Sequence, residues 1–337
     1  MSYNNLKQEL KAGTIRNLYL FYGEEDYLRE HYLSQLRGLV LSPDFAQMNH
    51  FRFDAKVEIA ALERAVEALP MFARLKLIEI HDFDFYRAAA AKRDALDEIL
   101  ANLPEYCVLV FVFSDANFKP DGRMKIQKHF KKQGLAVNFE KQAASDLLGW
   151  VARRFRAHEK TIDRSTADYL LFLCGTSMTK LIGETEKIAA YAKNEQITRG
   201  DIDAVAEPVL EAVVWDFTDA ATKRQFDTAA TIMGKLLHMR EEPIFILAAL
   251  GKQLRQLLSA KIALEHGKSA AYVKKLWNMK NDYAARKSMD RARTCSIAWC
   301  RAAVRLASDT DRAMKSTGQG GDVLLKDFLI QLSAAGA

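Results

Sequence analysis

Cys107-Val108-Leu109-Val110-Phe111-Val112-Phe113 is an unbroken apolar run. It is short and rich in β-branched and aromatic residues, which reads as a strand. A strand apolar at every position is covered on both faces. The cover must come from helices packed on each side, so this run sets the class of the domain around it.

Working outward, the same alternation continues in both directions. Leu75–Ile80 is a second short, mostly apolar strand. It is preceded by a helical pattern from Val57 to Leu69 (Val57, Ala61, Leu62, Ala65, Val66, Leu69). It is followed by another from Ala88 to Leu103 (Leu96, Ile99, Leu100, Leu103). Asn49-His50-Phe51-Arg52-Phe53-Asp54 alternates as a strand does. Leu18-Tyr19-Leu20-Phe21-Tyr22-Gly23 is a strand ending in a glycine turn. Glu24 to Leu41 then repeats Tyr27, Leu28, Tyr32, Leu36 and Leu39 at helical spacing. On the C-terminal side come a basic helix over Met124 to Gln133 and a last strand, Ala136-Val137-Asn138-Phe139. Alternating strands and helices predict a parallel sheet with helices on both faces.

After Glu140 the strand signals stop. Ser145-Asp146 reads as a cap for a helix carrying Leu147, Leu148, Trp150, Val151 and Phe155. Further helices are expected over Ser165–Cys174 and Met178–Ala192. Thr198, with Asp201 three residues on, has capping-box spacing. From Glu211 the chain is again helical. Pro243 suits a first turn, and long helices are expected over Ile244–His266 and Ser288–Lys315. A break at Gly318-Gln319-Gly320-Gly321 precedes a last helix from Asp322 to Leu332. The expected division is an α/β domain over 1–140 and two all-α domains over 141–210 and 211–337. Neither an internal repeat nor a low-complexity tract is visible.

The 337 residues are 49% hydrophobic and 27% charged, a globular balance with length for two or three domains. Apolar runs of membrane-helix length are missing, and Met1 to Gln8 lacks the apolar core of a signal peptide. A cytoplasmic protein is expected. Cys107, Cys174, Cys295 and Cys300 show no zinc-ligand spacing and are expected as reduced thiols. The net charge of +6 mildly favours an acidic partner such as nucleic acid.

The first strand's turn is where an α/β domain would cradle a nucleotide phosphate. A phosphate loop needs glycines, so that backbone N–H groups approach, and then Lys-Ser/Thr. Here the chain reads Gly23-Glu24-Glu25-Asp26-Tyr27-Leu28-Arg29, with three carboxylates where the anion would sit. The strand from Val108 ends in Ser114-Asp115-Ala116-Asn117, without the acidic pair that would hold Mg²⁺. No ATP site is expected. His81-Asp82-Phe83-Asp84 has too few ligands for a metal and reads as a solvated loop. Neither a nucleophile elbow nor an H-E-x-x-H motif occurs.

Lys119, Arg123, Lys125, Lys128, Lys131 and Lys132 form a basic run, with Lys125, Lys128 and Lys132 on one helical face. A solvated face and a phosphate-contacting face both fit. Lys252, Arg255, Lys261, Arg286, Lys287, Arg291, Arg293, Arg301 and Arg305 add charge to the C-terminal half. One connection is unusual. In Ala68-Leu69-Pro70-Met71-Phe72-Ala73-Arg74, Pro70 disfavours helix at Leu69 and leaves Leu69, Met71 and Phe72 between a helix and a strand. They are either a hinge buried in the domain's own core or an exposed wedge for a partner.

Taken in order, these features resemble the delta subunit family of the bacterial DNA polymerase III clamp loader over nearly the whole chain. The residues that carry the resemblance are Leu18 to Leu28, Leu69-Pro70-Met71-Phe72, Glu184-x-Glu186-Lys187-Ile188, Glu242-Pro243-Ile244 and Asp309 with Lys315-Ser316-Thr317-Gly318. The resemblance implies an AAA+-like α/β domain without ATPase activity, a small helical lid and a helical collar. It implies a five-membered ring with gamma/tau and delta-prime subunits, in which the other subunits hold ATP and this chain needs no cofactor. It also implies that the chain binds the beta sliding clamp and opens one clamp interface for closure around primed DNA. The clamp-contacting positions carry over onto Leu69, Met71 and Phe72, where Met71 is an apolar departure from the commoner leucine or phenylalanine. Lys125, Lys128 and Lys132 become candidate DNA-facing residues. The competing readings are an active ATPase of the same broad fold and a free-standing nucleic-acid-binding protein.

Overall fold

The computed structural model describes residues 2–239, 241–279 and 282–335 and divides into two compact units, Met1–Gln142 and Ala143–Ala337. The first contains α1 (Ser2–Lys11), β1 (Leu18–Tyr22), α2 (Asp26–Val40), a 3₁₀ turn (Pro43–Phe45), α3 (Ala46–Asn49) and β2 (His50–Phe53). It continues through α4 (Ile59–Glu67), β3 (Lys76–His81), α5 (Ala90–Ala101), β4 (Cys107–Val112), α6 (Gln127–Lys132) and β5 (Gly134–Asn138). The strands form one parallel five-stranded sheet in the order β2-β3-β4-β1-β5.

The apolar run that decides the class is β4, and all of it is buried. It sits between β3 and β1, with Leu77 opposite Val108 and Leu18 opposite Leu109. One sheet face packs Leu18, Leu20, Ile78, Ile80, Leu109 and Phe111 against Leu62 and Val66 of α4, Leu96 and Leu100 of α5, and Phe130 of α6. The other face carries Tyr19 and Phe21. Phe21 meets Phe139 edge-on at 5.3 Å, and Phe139 stacks on Tyr32 of α2. The chain leaves β1 for the far edge at β2, while β5 lies on β1's other side. The carboxyl end of β1 is therefore the sheet's topological switch point, where α/β folds take their ligands.

In the second unit come α7 (Ala144–Ala157), β6 (Thr161–Ile162), α8 (Arg164–Cys174), α9 (Met178–Tyr191), β7 (Gln196–Ile197) and α10 (Arg199–Val205). Then follow α11 (Leu210–Thr222), α12 (Phe226–His238), α13 (Pro243–Glu265), α14 (Ala270–Leu276), α15 (Asp282–Thr294), α16 (Ile297–Ser316) and α17 (Gly321–Ala334). Leu250, Leu254 and Leu257 of α13 lie in the same core as Phe217, Ala303 and Phe328. The capping box at Thr198 forms in both directions: Thr198 N–H donates to Asp201 Oδ2 at 2.8 Å, and Asp201 N–H donates to Thr198 Oγ1 at 3.3 Å.

Four local expectations need correction. The small helical region also holds a two-residue parallel strand pair, β6 with β7, too short for a periodicity signal. Helix α7 starts at Ala144, and Ala143 rather than Ser145-Asp146 takes the cap position. Ser288–Lys315 is two helices, because Ser296 accepts a hydrogen bond from Trp299 N–H and starts α16 afresh. The basic helix begins at Gln127 instead of Met124. Asp121 accepts from Arg123 N–H at 3.0 Å, a local turn that competes with helix.

Candidate functional site

Helix α4 ends at Glu67, and its last carbonyls turn towards one buried cation. Lys76 is fully buried, and its Nζ donates to the carbonyl oxygens of Ala65 at 2.5 Å, Val66 at 2.8 Å and Ala68. A cation suits a helix C-terminus, where unsatisfied carbonyls and the dipole concentrate negative charge. The Tyr106 hydroxyl takes the next carbonyl, donating to Glu67 O at 2.9 Å, and the Tyr106 ring lies 5.1 Å from Lys76 Nζ. Burial pushes the Lys76 ammonium pKa down; its ordered acceptors compensate for lost water.

Beyond this cap the chain turns out into solvent. Leu69 is 73% exposed, Met71 50% and Phe72 77%. Of the two readings of this connection, the side chains take the exposed one. Phe72 has a left-handed backbone at φ 52°, costly for a residue with a Cβ and stable only where neighbours fix it. The fixing groups are close. The buried side chain of Asn49 accepts from Met71 N–H at 2.7 Å and donates to Met71 O at 2.8 Å. The Phe45 ring lies 5.4 Å from the Phe72 ring. An apolar surface is thus presented on an ordered loop.

At the switch point the loop after β1 is folded against β5. Gly23 has φ +120°, and a Cβ there would come within 2.6 Å of Phe139 O, Phe139 N and Asn138 Oδ1. Glu25 N–H donates to Phe139 O at 2.8 Å, and Phe139 N–H donates to Tyr22 O at 2.7 Å. Burial and the neighbouring Asp26 raise the Glu25 carboxyl pKa.

The basic residues do not act as one group. Lys125 precedes α6 and pairs with Asp97 at 2.6 Å, and His129 meets the same carboxylate at 2.9 Å. Lys128 and Lys132 lie on α6 and are exposed. In the second unit Arg291 is buried. It donates from Nε to Asp219 at 3.0 Å and from Nη2 to Trp215 O, with its guanidinium 4.2 Å from the Trp215 ring centre. It is a structural charge, unavailable to a phosphate. Asp82 accepts from Ser114 N–H and Oγ–H, both at 2.7 Å, and ties the ends of β3 and β4 together. Asp84 accepts from Tyr86 N–H at 3.1 Å.

Besides the Lys76 cap, sequence reasoning missed two features. Glu79 in β3 is fully buried and receives Arg37 Nε at 2.6 Å and Nη2 at 2.8 Å. His50 Nε2 lies 2.9 Å from its Oε1, and His81 Nε2 lies 3.0 Å from its Oε2. An ionised carboxylate only accepts, so both imidazoles carry their proton on Nε2. The other missed feature is the Asn49 anchor, because the 43–49 segment has no periodicity. A charged residue inside an apolar strand was the available signal for Lys76 and Glu79.

Two family models match. DNA polymerase III, delta subunit, covers residues 19–140, and DNA polymerase III delta subunit, C-terminal domain, covers residues 211–332. The chain is similar to DNA polymerase III subunit delta of Bacillus subtilis (strain 168), 24% identical over 335 residues, covering 96% of this chain and 95% of that protein. It is also similar in fold to a solved Bacillus subtilis DNA clamp loader delta protein. The TM-score is 0.58 at 23% identity, covering 99% of this chain and 100% of that one.

Proposed function

The chain belongs to the DNA polymerase III delta subunit family, and from that premise we propose that it binds the beta sliding clamp through Leu69, Met71 and Phe72. Its role is that of a non-catalytic clamp-loader subunit in replication. In the proposed cycle it opens one clamp interface, acts within a ring completed by gamma/tau and delta-prime subunits, and releases the clamp onto primed DNA in the cytoplasm. ATP is held by other subunits. The proposed division is the α/β domain at 1–140, a lid at 141–210 and a collar at 211–337; the spans 19–140 and 211–332 of the family matches support it.

The observation that carries the docking reading is the exposure of three large apolar side chains on a loop whose backbone is pinned. Burying each contributes about 1.5–3 kcal/mol, a gross gain of roughly 5–9 kcal/mol for three. Association costs at least ~4 kcal/mol, so the trio needs flanking contacts for tight affinity. Opening the clamp requires no chemistry from this chain. A subunit that binds the open clamp better than the closed one shifts the equilibrium by that difference.

The test is capture of the same organism's sliding clamp by the purified chain and by its Met71→Ala/Phe72→Ala variant. Clamp binding and loading should be lost in the variant, while thermal stability and assembly with the other loader subunits stay near wild type. A variant that unfolds, or that still binds the clamp, would make the trio something other than the docking site.

A further inference from the structure

The docking loop does not hold its own shape. Asn49 reaches Met71 across 22 residues of sequence and grips both of its backbone polar groups. A second Nδ2 hydrogen bond, 3.0 Å, goes to Phe45 O and ties in the segment whose ring faces Phe72. Asn49 is 1% exposed and directly precedes β2, whose His50 is in register with Leu77 of β3. The anchor therefore moves with the sheet. The loop's two ends are fixed separately, by Lys76 on the carbonyls of α4 and by β3 itself. Only Asn49 holds the loop backbone between them by side-chain hydrogen bonds among the described residues.

We infer that Asn49 is the positioning residue of the clamp-docking loop, the group that sets Met71 and Phe72 in the conformation the clamp receives. This rests on the docking reading above. The carboxamide is required because it donates and accepts at once. Alanine leaves Met71 N–H and C=O without partners, and the left-handed turn at Phe72 loses the contact that over-determines it. The free subunit then samples many loop shapes. Its clamp affinity falls by the fraction that remains competent.

An Asn49→Asp variant isolates this role. Ionised, the carboxylate accepts from Met71 N–H but turns lone pairs towards the carbonyls of Met71 and Phe45. Protonated, it regains a donor. Burial against carbonyls raises a carboxyl pKa, so the change falls in an accessible pH range.

Clamp affinity of the full-length wild type, Asn49→Ala, Asn49→Asp and Met71→Ala/Phe72→Ala should be measured between pH 5 and 8. Hydrogen exchange across residues 69–74 should be measured on the same proteins. We expect Asn49→Ala to weaken clamp binding by about tenfold or more and to speed Met71 amide exchange, with assembly into the loader unchanged. The ratio of Asn49→Asp to wild-type Kd should be large at pH 8 and fall towards one at pH 5. If wild type binds, Met71→Ala/Phe72→Ala does not, and Asn49→Ala binds like wild type, the inference alone is overturned. A flat Kd ratio, or unchanged exchange at Met71, overturns it as well. If wild type fails to bind, or Met71→Ala/Phe72→Ala binds like wild type, the docking reading falls and takes the inference with it.

Discussion

Arg29 donates from Nη1 to the carbonyl oxygen of Gly23 at 2.8 Å, and its Nη2 reaches Asp26 Oδ1 at 2.6 Å. The guanidinium is buried in the first turn of α2. A positive charge at this turn is one of the groups a nucleotide phosphate would need, and here it is spent on the protein's own backbone and carboxylate.

The first prediction concerns that turn. A phosphate cradle needs backbone N–H groups aimed at the anion and room for it to approach. Glu25 N–H is instead committed to Phe139 O, the loop lies against β5, and the exposed carboxylates of Glu24 and Asp26 set like charge beside any incoming anion. Titration of the isolated chain with Mg·ATP in a calorimeter is expected to give no saturable micromolar binding. Binding at that level would favour the ATPase reading.

The second prediction separates the basic residues by what already neutralises them. Lys125 is paired with Asp97, whereas Lys128 and Lys132 project from α6 into solvent. If this face follows DNA phosphates in the assembled loader, Lys128→Ala/Lys132→Ala should reduce the slope of log K against log salt by roughly one to two. Lys125→Ala should change it less. An unchanged slope in the double variant returns α6 to the role of a solvated face.

How much of this was legible follows from what each signal depends on. Strands β1 and β4 are readable because burial on both faces leaves an unbroken apolar run, β3 because its run is mostly apolar, and alternation with helices fixes the parallel sheet. Leu69, Met71 and Phe72, the proposed docking trio, stand out because Pro70 strands large apolar residues outside any period, yet the residue pattern leaves burial and exposure both open. The sequence pattern places Asn49 only at the start of a strand. Its role depends on a residue 22 positions away, and neither local propensity nor hydrophobic period reports such a contact. Lys76 and Glu79 are fully buried charges whose partners come from helices and strands elsewhere in the chain. Their sequence neighbours argue only for a strand. The join between α15 and α16 was invisible because Cys295-Ser296 contains no helix breaker, only a cap recognisable once the turn exists.

The third prediction is a pH dependence centred on Glu79. Burial would push its carboxyl pKa up. The hydrogen bonds from Arg37 and His81, with the charges of Arg37 and His50, outweigh burial and hold it well below the usual carboxylate range. The Arg37 guanidinium is raised in turn, chiefly by its hydrogen bonds to Glu79, so both partners shift in the sense of a stabilising pair. A carboxyl with a depressed folded-state pKa stabilises fully above its unfolded value, about 4.3, and loses that stabilisation as pH falls below it. Glu79→Gln removes the charge but leaves Arg37 in place, and breaking a buried pair from one side costs roughly 3 kcal/mol, at the low end because Arg37 is partly exposed. Trp150, Trp215, Trp277 and Trp299 all lie in the second unit, so tryptophan fluorescence does not report on this site. Hydrogen exchange at β3 amides does. At pH 7 these amides should exchange faster in Glu79→Gln than in wild type by about two orders of magnitude. After correction for intrinsic rates, the gap should narrow as pH falls from 5 towards 3, because wild type loses what the variant never had. A gap that stays constant through that range would mean that the carboxylate's charge does not stabilise β3.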